Sequence, residues 1–515
     1  MKNRLADRRI RSRSIAILLL LGGCLGAGSA PLFGGSYPSA VATIDRQQLR
    51  RHCEFLASDA LEGRETGTRG GQAAGAYIVA QLRKLKVPPA GADGDYYQPF
   101  QSASRNILCK LPGSDPTLAK EYLIVGAHYD HVGYGSARNS HGPFGYIHRG
   151  ADDNASGTAT LLELIGAFNS LDAAPKRTLL FVFWDAEEQG LLGSEYWCQY
   201  PTVPLEGLKL VFNIDMVGRL RENRAEVLGG RTAPGLRGLI AANNADPPVS
   251  LSFSWDSRRD SDHYPFFSRQ IPYLMVFTGK HPEYHTPYDN VDKLNTEGIE
   301  RVARLLFRTV YAAAQTPRLP AFRQAAFQEN SALRDAVEVA SELPQPRLGV
   351  TWDEQLARRQ VIEIAQVDPA SPAEAAGIRG GDRILKFAGA AVQSAAEIRE
   401  AVCGAPEETT AVIVHHGESS PRTLHVHLSG SPHPVGVFCR SDDAEPGSLI
   451  VSRVLPGSSA ERAGLRLNDR IRKVGDRAVI SPEQLSARLL GPVGSQSLEI
   501  ERDGEIRTLV LTRPK

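Results

Sequence analysis

Five short segments of the sequence combine histidine with carboxylate side chains. They are Ala127-His128-Tyr129-Asp130, Gly150-Ala151-Asp152-Asp153-Asn154, Asp185-Ala186-Glu187-Glu188, Asn213-Ile214-Asp215 and Tyr284-His285-Thr286-Pro287. Imidazole and carboxylate groups are ligands that zinc accepts in hydrolytic sites. A single His-x-Asp or Glu-Glu pair is usually a surface or packing feature. Five segments that converge would instead form a centre for metal-assisted hydrolysis.

Each segment follows an apolar run that is typical of a buried strand. The clearest runs span residues 122–127, 179–184, 208–214 and 271–277, and helix-like stretches such as 73–86 and 155–170 lie between them. This alternation predicts an α/β fold, with a mostly parallel sheet covered by helices on both faces. The carboxyl ends of parallel strands meet at one edge of such a sheet, so the five segments are expected to converge there.

In their order, the segments resemble the motifs of the M28 family of zinc aminopeptidases: His-x-Asp, Gly-Ala-Asp-Asp-Asn-x-x-Gly, Glu-Glu, Asp and His. The resemblance covers residues 44–317 and implies a catalytic domain with two zinc ions. It assigns one zinc to His128 and Asp215 and the other to Glu188 and His285. Asp152 would bridge the two.

Further roles follow from the same resemblance. Glu187, beside the ligand Glu188, is the expected general base, and Asp130 is expected to accept the ring N–H of His128. Tyr284 would donate to the oxyanion, as the tyrosine before the last histidine does in some members. The family also has a cis peptide bond between paired aspartates, here expected at Asp152-Asp153.

Other histidines in the region match no ligand position of the family. Solvated or packing roles are expected for His131, His141, His148, His263 and His281. The segment Ser261-Asp262-His263-Tyr264-Pro265-Phe266 resembles a family segment near the substrate pocket, where it is expected to support the site.

The activity implied by the resemblance is removal of amino-terminal residues from peptides. Related two-zinc carboxypeptidases and glutaminyl cyclases share the fold, so these activities stay open as alternatives. An inactive peptide-binding scaffold is a third interpretation, and the presence of Glu187 with every expected ligand argues against it. The formal net charge of +1 gives no support for nucleic-acid binding.

The carboxyl-terminal part contains an internal repeat. The segment from Pro369 to Val392 recurs from Pro456 to Val479 with constant spacing. Both copies resemble PDZ domains, at residues 346–430 and 433–515, with a linker at 318–345. In such domains a loop holds the carboxylate of a peptide end; the expected loops are Leu348-Gly349-Val350 and Val435-Gly436-Val437. A purely structural role for either copy stays open.

The first thirty residues are predicted to be an export signal. Basic residues precede an apolar run at 15–21, and small residues follow it. Leu21-Gly22-Gly23-Cys24 resembles a bacterial lipoprotein box, whereas Gly28-Ser29-Ala30 suits ordinary cleavage. The expected location is periplasmic, extracellular or tethered to a membrane through a lipid on Cys24.

Overall fold

The computed structural model describes residues 37–101, 103–342, 346–489 and 494–512. The predicted export signal and Cys24 lie outside these residues. Within the described parts of the chain, no helix is long and apolar enough to cross a bilayer.

The first part of the chain forms a sheet with helices packed on it. Its helices are α1 (Tyr37–Ala42), α2 (Arg46–Leu56), α3 (Arg69–Leu85), α4 (Gly157–Asn169), α5 (Leu192–Gln199), α6 (Leu236–Ala242), α7 (Tyr264–Phe267) and α8 (Thr296–Gln315). Its strands are β1 (Tyr97–Phe100), β2 (Ser104–Leu111), β3 (Tyr122–His128), β4 (Thr178–Trp184), β5 (Leu208–Ile214), β6 (Arg224–Leu228), β7 (Ser250–Phe253) and β8 (Tyr273–Phe277).

These strands form one mixed sheet in the order β1-β2-β4-β3-β5-β8-β6-β7. The central pairs β4-β3, β3-β5 and β5-β8 are parallel. The outer pairs β2-β4 and β6-β8 are antiparallel. The predicted α/β fold is therefore confirmed, and the parallel part is its centre, where buried strands read as continuous apolar runs.

The four predicted apolar runs correspond to β3, β4, β5 and β8. The sequence reasoning missed β1, β2, β6 and β7. In β6 and β7 buried residues are interrupted by half-buried or exposed ones, so these short strands lack the continuous apolar signal. They matter for function, because β6 lies beside β8 at the edge of the candidate site.

Helix α8 covers the sheet with an amphipathic face. It begins at the cap residue Asn295, whose side chain accepts a hydrogen bond from Gly298 N at 2.9 Å. One side of the helix is buried, and its Phe307 packs on Phe168 of α4 with ring centroids 4.3 Å apart. Burial of this face, rather than helix propensity, holds α8 in place.

Beyond residue 317 the chain forms a connecting helix and two small β-rich domains. The helices are α9 (Ser331–Glu338), α10 (Glu354–Ala357), α11 (Pro372–Ala376), α12 (Ala395–Gly404), α13 (Ser459–Arg462) and α14 (Pro482–Leu489). The strands are β9 (Val350–Trp352), β10 (Ile364–Val367), β11 (Asp382–Phe387), β12 (Ala390–Ala391), β13 (Glu408–His415), β14 (Arg422–His427), β15 (Val437–Ser441), β16 (Leu449–Val454), β17 (Arg470–Val474), β18 (Arg477–Ala478), β19 (Ser495–Arg502) and β20 (Glu505–Thr512).

The sequence repeat becomes a repeat of local structure. Ser371 caps α11 by accepting from Glu374 N, and Ser458 caps α13 by accepting from Glu461 N, both at 3.2 Å. Each glutamate side chain in turn accepts from the backbone N–H of the residue before the serine. The two copies therefore share one variant of the capping box, in which the glutamate accepts from the residue before the cap. Each domain also has its own buried apolar cluster.

The second β-rich domain packs against the outer strand of the large sheet. Leu251 N in β7 donates to Asp503 O at 2.7 Å. Gly504 makes this close approach, because a Cβ there would lie 2.4 Å from Leu251 Cβ. The largely buried Arg237 of α6 pairs with Glu501 at 2.8 Å. Backbone pairing and an enclosed ion pair therefore fix this domain on the sheet.

A second carboxylate in this interface, that of Glu445, forms no ion pair with any of the residues that the structure describes. Glu445 accepts hydrogen bonds from Arg237 N and Gly238 N, at 3.0 and 3.1 Å, in the first turn of α6. Burial raises the pKa of Glu445 from 4.5 to about 7, although Arg470 and Arg237 act to lower it. In the folded chain, Glu445 therefore keeps its proton to a higher pH than a glutamate in the unfolded chain does.

This arrangement predicts a pH-dependent stability. Because the pKa of Glu445 is higher in the folded chain, its contribution is present below pH about 4.5 and is lost as the pH rises towards 7. That loss amounts to at most about 3 kcal/mol. Urea unfolding of the full chain between pH 4.5 and 8 should show a flatter profile for Glu445→Gln than for the wild type. Glu342→Gln, at an exposed position, is the matched control; parallel wild-type and Glu445→Gln profiles would contradict the assignment.

Candidate metal centre

Three neighbouring parallel strands deliver most of the candidate site. Strand β3 ends at His128 and leads to Asp130, β4 leads to Glu187 and Glu188, and β5 leads to Asp215. The strands lie side by side in the order β4-β3-β5. Their carboxyl ends share one edge of the sheet, as the sequence predicted.

A first group of candidate ligands contains His128, Asp153 and Asp215. His128 Nε2 lies 3.3 Å from Asp215 Oδ1 and 3.4 Å from Asp153 Oδ1. All three side chains are buried. Two carboxylate oxygens and one imidazole nitrogen therefore face one another at a separation that a cation between them would fill.

A second group contains His131, Asp153, Glu188 and His285. His285 Nε2 lies 2.9 Å from Asp153 Oδ2 and 3.2 Å from Glu188 Oε2. His131 Nδ1 lies 2.8 Å from Glu188 Oε1. Asp153 thus turns one oxygen to each group, which is the position of a carboxylate shared by two cations.

The structure assigns the shared position to Asp153, and the prediction of Asp152 for it is wrong. The Asp152 carboxylate points away from both groups: its Oδ1 accepts from Gly218 N at 2.6 Å and from Ser156 Oγ at 3.0 Å. Its Oδ2 lies 3.3 Å from His281 Nε2. Two adjacent aspartates look alike in sequence, and only the path of the turn decides which one faces the site. The cis peptide bond likewise lies one residue later, at Asp153-Asn154.

His131 is a candidate ligand that the sequence reasoning placed among packing or solvated histidines. Its ring is buried and edge-on to His285, with centroids 5.5 Å apart. The sequence feature that could have identified His131 as a ligand is its position, three residues after His128 and next to Asp130. The other four histidines belong to neither group of candidate ligands. His263, for example, stacks on Tyr273 with ring centroids 4.4 Å apart.

Asp130 and Glu187 are tied together by the backbone. Asp130 Oδ1 accepts from Glu187 N at 3.1 Å, and its Oδ2 accepts from Glu188 N at 3.3 Å. The expected contact of Asp130 with His128 is longer, since Oδ1 lies 3.7 Å from Nδ1 while the backbone oxygen of Asp130 lies 3.3 Å from it. Asp130 therefore orients the turn that carries Glu187 and Glu188 as well as facing His128.

A buried arginine anchors the loop that carries Asp153. Arg64 is 1% exposed, and among the described residues its guanidinium donates to backbone carbonyls alone. Its acceptors are Leu56, Tyr129, Arg149, Gly150 and Asp153. These five acceptors lie in three segments, so Arg64 joins the amino-terminal part of the chain to both sides of the site.

Two further side chains orient the candidate ligands. Ser261 Oγ donates to Asp215 Oδ2 at 2.7 Å and accepts from Asn213 Nδ2 at 2.7 Å. Asp289 Oδ2 accepts from the backbone N–H groups of Asp152 and Asp153, at 2.8 and 3.1 Å. The Ser261 segment therefore supports the site as expected, by holding a carboxylate in place.

The charged groups of the site depend on one another. Burial lowers the pKa of His285, but contacts with Asp153 and Glu188 outweigh it and raise the pKa to about 10. Burial raises the pKa of Asp153, yet the histidines around it bring that pKa well below its usual range. Burial also raises the pKa of Glu187 well above its usual range. A cation entering the site would replace the protons that now balance these carboxylates.

The donor set fits metal ions of the zinc type. Nitrogen and carboxylate oxygen atoms converge within each group, and a carboxylate is shared between them. Although His285 Nε2 lies close to two carboxylates, it makes no hydrogen bond of acceptable geometry. Nitrogen and oxygen atoms that point at a common centre, without hydrogen bonds to one another, are the arrangement expected around a metal ion.

A cavity of about 490 Å³ opens directly on this centre. His128, Asp153, Glu187 and Asp215 form one of its walls, and Tyr284 borders it. The Tyr284 ring stacks on His285 with centroids 3.9 Å apart. Burial raises the pKa of Tyr284 well above its usual range, so the phenol keeps its proton and can donate a hydrogen bond into the cavity.

The glycines of the two expected PDZ loops adopt the same left-handed conformation, whereas the residue before each differs, since Val435 has φ of +58° and Leu348 has no positive φ. Gly349 and Gly436 both have φ of +74°, and a Cβ at either would lie 2.4 Å from the Cβ of Ser371 or Ser458. Their surroundings differ, because His433 N, just before the second loop, donates to Cys403 O at the end of α12 at 2.6 Å. The second loop thus lies against the first domain.

Family models match three parts of the chain. Residues 106–310 match the model described as peptidase family M28, and residues 363–414 and 450–500 each match a PDZ domain model. The chain contains a family M28 peptidase domain and two PDZ domains. The M28 match spans the strands that deliver His128, Glu188 and Asp215, together with His285.

Relatives of the M28 domain include named aminopeptidases. Aminopeptidase YwaD of Bacillus subtilis (strain 168) is 29% identical over 210 residues, which are 39% of this chain and 43% of that protein. Leucine aminopeptidase 1 of Pyrenophora tritici-repentis is 28% identical over 307 residues, 56% of this chain and 75% of that protein. The solved zinc aminopeptidase BSAP of Bacillus subtilis covers 52% of this chain and 95% of its own, at 19% identity and a TM-score of 0.43.

The shared position of Asp153 in the M28 domain predicts unequal effects for the two adjacent aspartates. Asp153→Asn should lower zinc affinity by more than about 100-fold, because it removes a charge facing both groups. Asp152→Asn should lower zinc affinity less, by about 10- to 100-fold at most, because Asp152 acts through the surrounding turn. Competition with a chromogenic zinc chelator, with circular dichroism to check folding, measures both. The reverse order of affinities would restore Asp152 to the shared position.

His131 makes a separate prediction. His131→Ala should weaken zinc binding about 10- to 100-fold, whether the ring binds metal directly or orients Glu188. Cobalt substitution separates these routes, because loss of a nitrogen ligand shifts the visible absorption of Co²⁺. His141→Ala, at an exposed position beside Tyr284, is the control. Wild-type zinc affinity in His131→Ala would exclude His131 from the centre.

Proposed function

We propose that the chain is a two-zinc aminopeptidase that removes amino-terminal residues from peptides. The observation that carries this proposal is the Asp153 carboxylate, which faces two groups of buried or half-buried candidate ligands while Glu187 lies in the wall of the adjoining cavity. His128 and Asp215 would hold one zinc, and Glu188, His285 and His131 the other. The named aminopeptidases among the relatives of the M28 domain support the same activity.

The residues around the cavity account for the steps of amide hydrolysis. Bound zinc would supply Lewis acidity that polarises the scissile carbonyl and acidifies the attacking water. Glu187 takes the proton from this water as its oxygen bonds to the carbonyl carbon. Glu187 then gives the proton to the leaving nitrogen as the C–N bond breaks. The protonated Tyr284 donates to the oxyanion that forms in between.

The shape and charge of the cavity favour exopeptidase action. Its volume suits a small ligand or one residue with its side chain. Carboxylates dominate the wall next to the candidate ligands, which suits a substrate that carries a free ammonium group. The carboxypeptidase alternative needs cations at this place, but Arg258 is paired with Asp256 at 3.1 Å and Lys280 lies over the Tyr284 ring at 4.4 Å.

The PDZ domains are proposed to guide peptide substrates, with the first domain as the binding member. Its loop at Leu348-Gly349-Val350 precedes the edge strand β9. The loop at Val435-Gly436-Val437 packs instead against the first domain, so the second domain is proposed to hold the assembly together. Export of the mature chain, as a soluble or lipid-tethered protein, is part of the same proposal and rests on residues 1–30 alone.

Glu187→Gln tests the assigned base. Loss of the proton acceptor should lower kcat by about 10²- to 10⁴-fold, while zinc content and secondary structure stay at wild-type levels. Hydrolysis of an aminoacyl para-nitroanilide measures the rate, and elemental analysis measures the zinc. Glu206→Gln, exposed and remote from the cavity, is the control. Wild-type kcat in Glu187→Gln would contradict the role.

The activity itself is tested with paired substrates. Free-amine aminoacyl anilides should be cleaved, activity should disappear with a chelator and return with zinc, and amino-blocked versions should be inert. Cleavage only of carboxyl-terminal residues would favour a carboxypeptidase, and cyclisation of amino-terminal glutamine a cyclase. No turnover of any of these substrates would favour the binding scaffold.

A further inference from the structure

Two strands form the floor of the cavity beside the candidate metal centre. In the antiparallel pair β6-β8, Glu226 lies opposite Phe277 and Leu228 lies opposite Met275. Residues directly opposite each other share one face of the sheet, and all four line the cavity. The floor therefore consists of three apolar side chains and one carboxylate.

The Glu226 carboxylate has no cation of its own. The side chain is half-buried, and across the described ranges its oxygens form no hydrogen bond or ion pair. Its strand neighbours on this face do not supply one, because Phe277 is apolar and the register partner on β7 is Ser252. A half-buried carboxylate beside apolar groups is costly unless a partner arrives with the ligand.

The other charged groups of the cavity are placed differently. Asp256 is engaged, since its oxygens accept from Ser331 N at 3.2 Å and from Arg258 at 3.1 Å. Lys280 is exposed and lies against the Tyr284 ring. Asp260 is nearly half-exposed, so it is solvated. Apart from Glu187, the candidate base, Glu226 is thus the lining charge that combines partial burial with the absence of a hydrogen-bond or ion-pair partner among the described residues.

We propose that the cavity takes the first side chain of the substrate, that this side chain is lysine or arginine, and that Glu226 binds its cationic head. The inference rests on the proposed aminopeptidase function and adds the substrate class. A lysine or arginine stem is aliphatic and packs on Leu228, Met275 and Phe277, while its end carries the charge that Glu226 lacks.

Other first residues meet this floor less well. A leucine or methionine side chain covers the apolar part but removes water from Glu226 without replacing it. A glutamate or aspartate side chain places like charges together. The floor therefore selects against neutral side chains, which leave Glu226 unpaired, and against acidic ones, which it repels, as well as in favour of cationic ones.

Near-isosteric substrate pairs test the inference without a mutation. The zinc-loaded full chain is assayed with lysyl and norleucyl para-nitroanilides, and with arginyl and citrullinyl ones. Citrulline keeps the length of the arginine side chain without its charge, and norleucine keeps the four-carbon stem of lysine without the terminal ammonium group. We expect kcat/KM to favour the cationic member about 10- to 100-fold, the range of one charge-assisted contact. Equal values, or a preference for the neutral member, would overturn the proposal.

Variants identify the residue responsible. Glu226→Gln should reduce the lysyl-to-norleucyl ratio of kcat/KM about 10- to 100-fold, whereas Glu222→Gln, in the exposed turn before β6, should keep it. A Glu226→Gln ratio equal to that of the wild type would overturn the role of Glu226, including the case in which it binds the α-ammonium group common to all substrates. If norleucyl anilide is cleaved without a cationic preference, the specificity alone fails. If no free-amine anilide is cleaved, the proposed function fails and this inference with it.

Discussion

The candidate metal centre brings several carboxylates within a few ångströms of one another. At one edge of the sheet, Asp130 and Asp153 are buried, and Glu187 and Glu188 beside them are partly buried. Like charges in such a place repel and lose hydration, so they persist only where cations or hydrogen-bond donors balance them. The histidines and backbone N–H groups supply part of this balance, and the arrangement of the ligand atoms leaves room for metal ions to supply the rest.

The same requirement explains the architecture around the site. Parallel strands bring the ends of neighbouring strands together, but they do not fix the positions of side-chain atoms to within a few tenths of an ångström. That precision comes from groups that bind the loops: Arg64 through five carbonyls, Asp289 through two N–H groups, and Ser261 through Asp215. Each fixes a loop at the end of a strand, where the backbone has no sheet partner of its own.

A comparable balance of buried charge joins the second PDZ domain to the peptidase domain. Arg237 pairs with Glu501 and Arg231 pairs with Asp442 across this interface, and all four side chains are largely withdrawn from solvent. Removing one partner of such a pair leaves a buried charge, so these pairs favour a single docking geometry. The second domain thereby becomes part of the framework of the peptidase domain, while the first keeps strand β9 at the edge of its sheet.

The sequence alone determined the α/β class, the PDZ repeat and the convergence of His128, Glu188, Asp215 and His285, because continuous apolar runs and ordered motifs are local signals. The tertiary structure decided which of several neighbouring residues with the same kind of side chain faces the site. Asp153 rather than Asp152 is shared between the groups, since the turn after Gly150, held by Arg64 and Asp289, sets which carboxylate faces inward. His131 joins the site, and Glu226 enters the cavity floor, through pairings between distant segments. No local pattern records such contacts, because they exist only after the chain has folded.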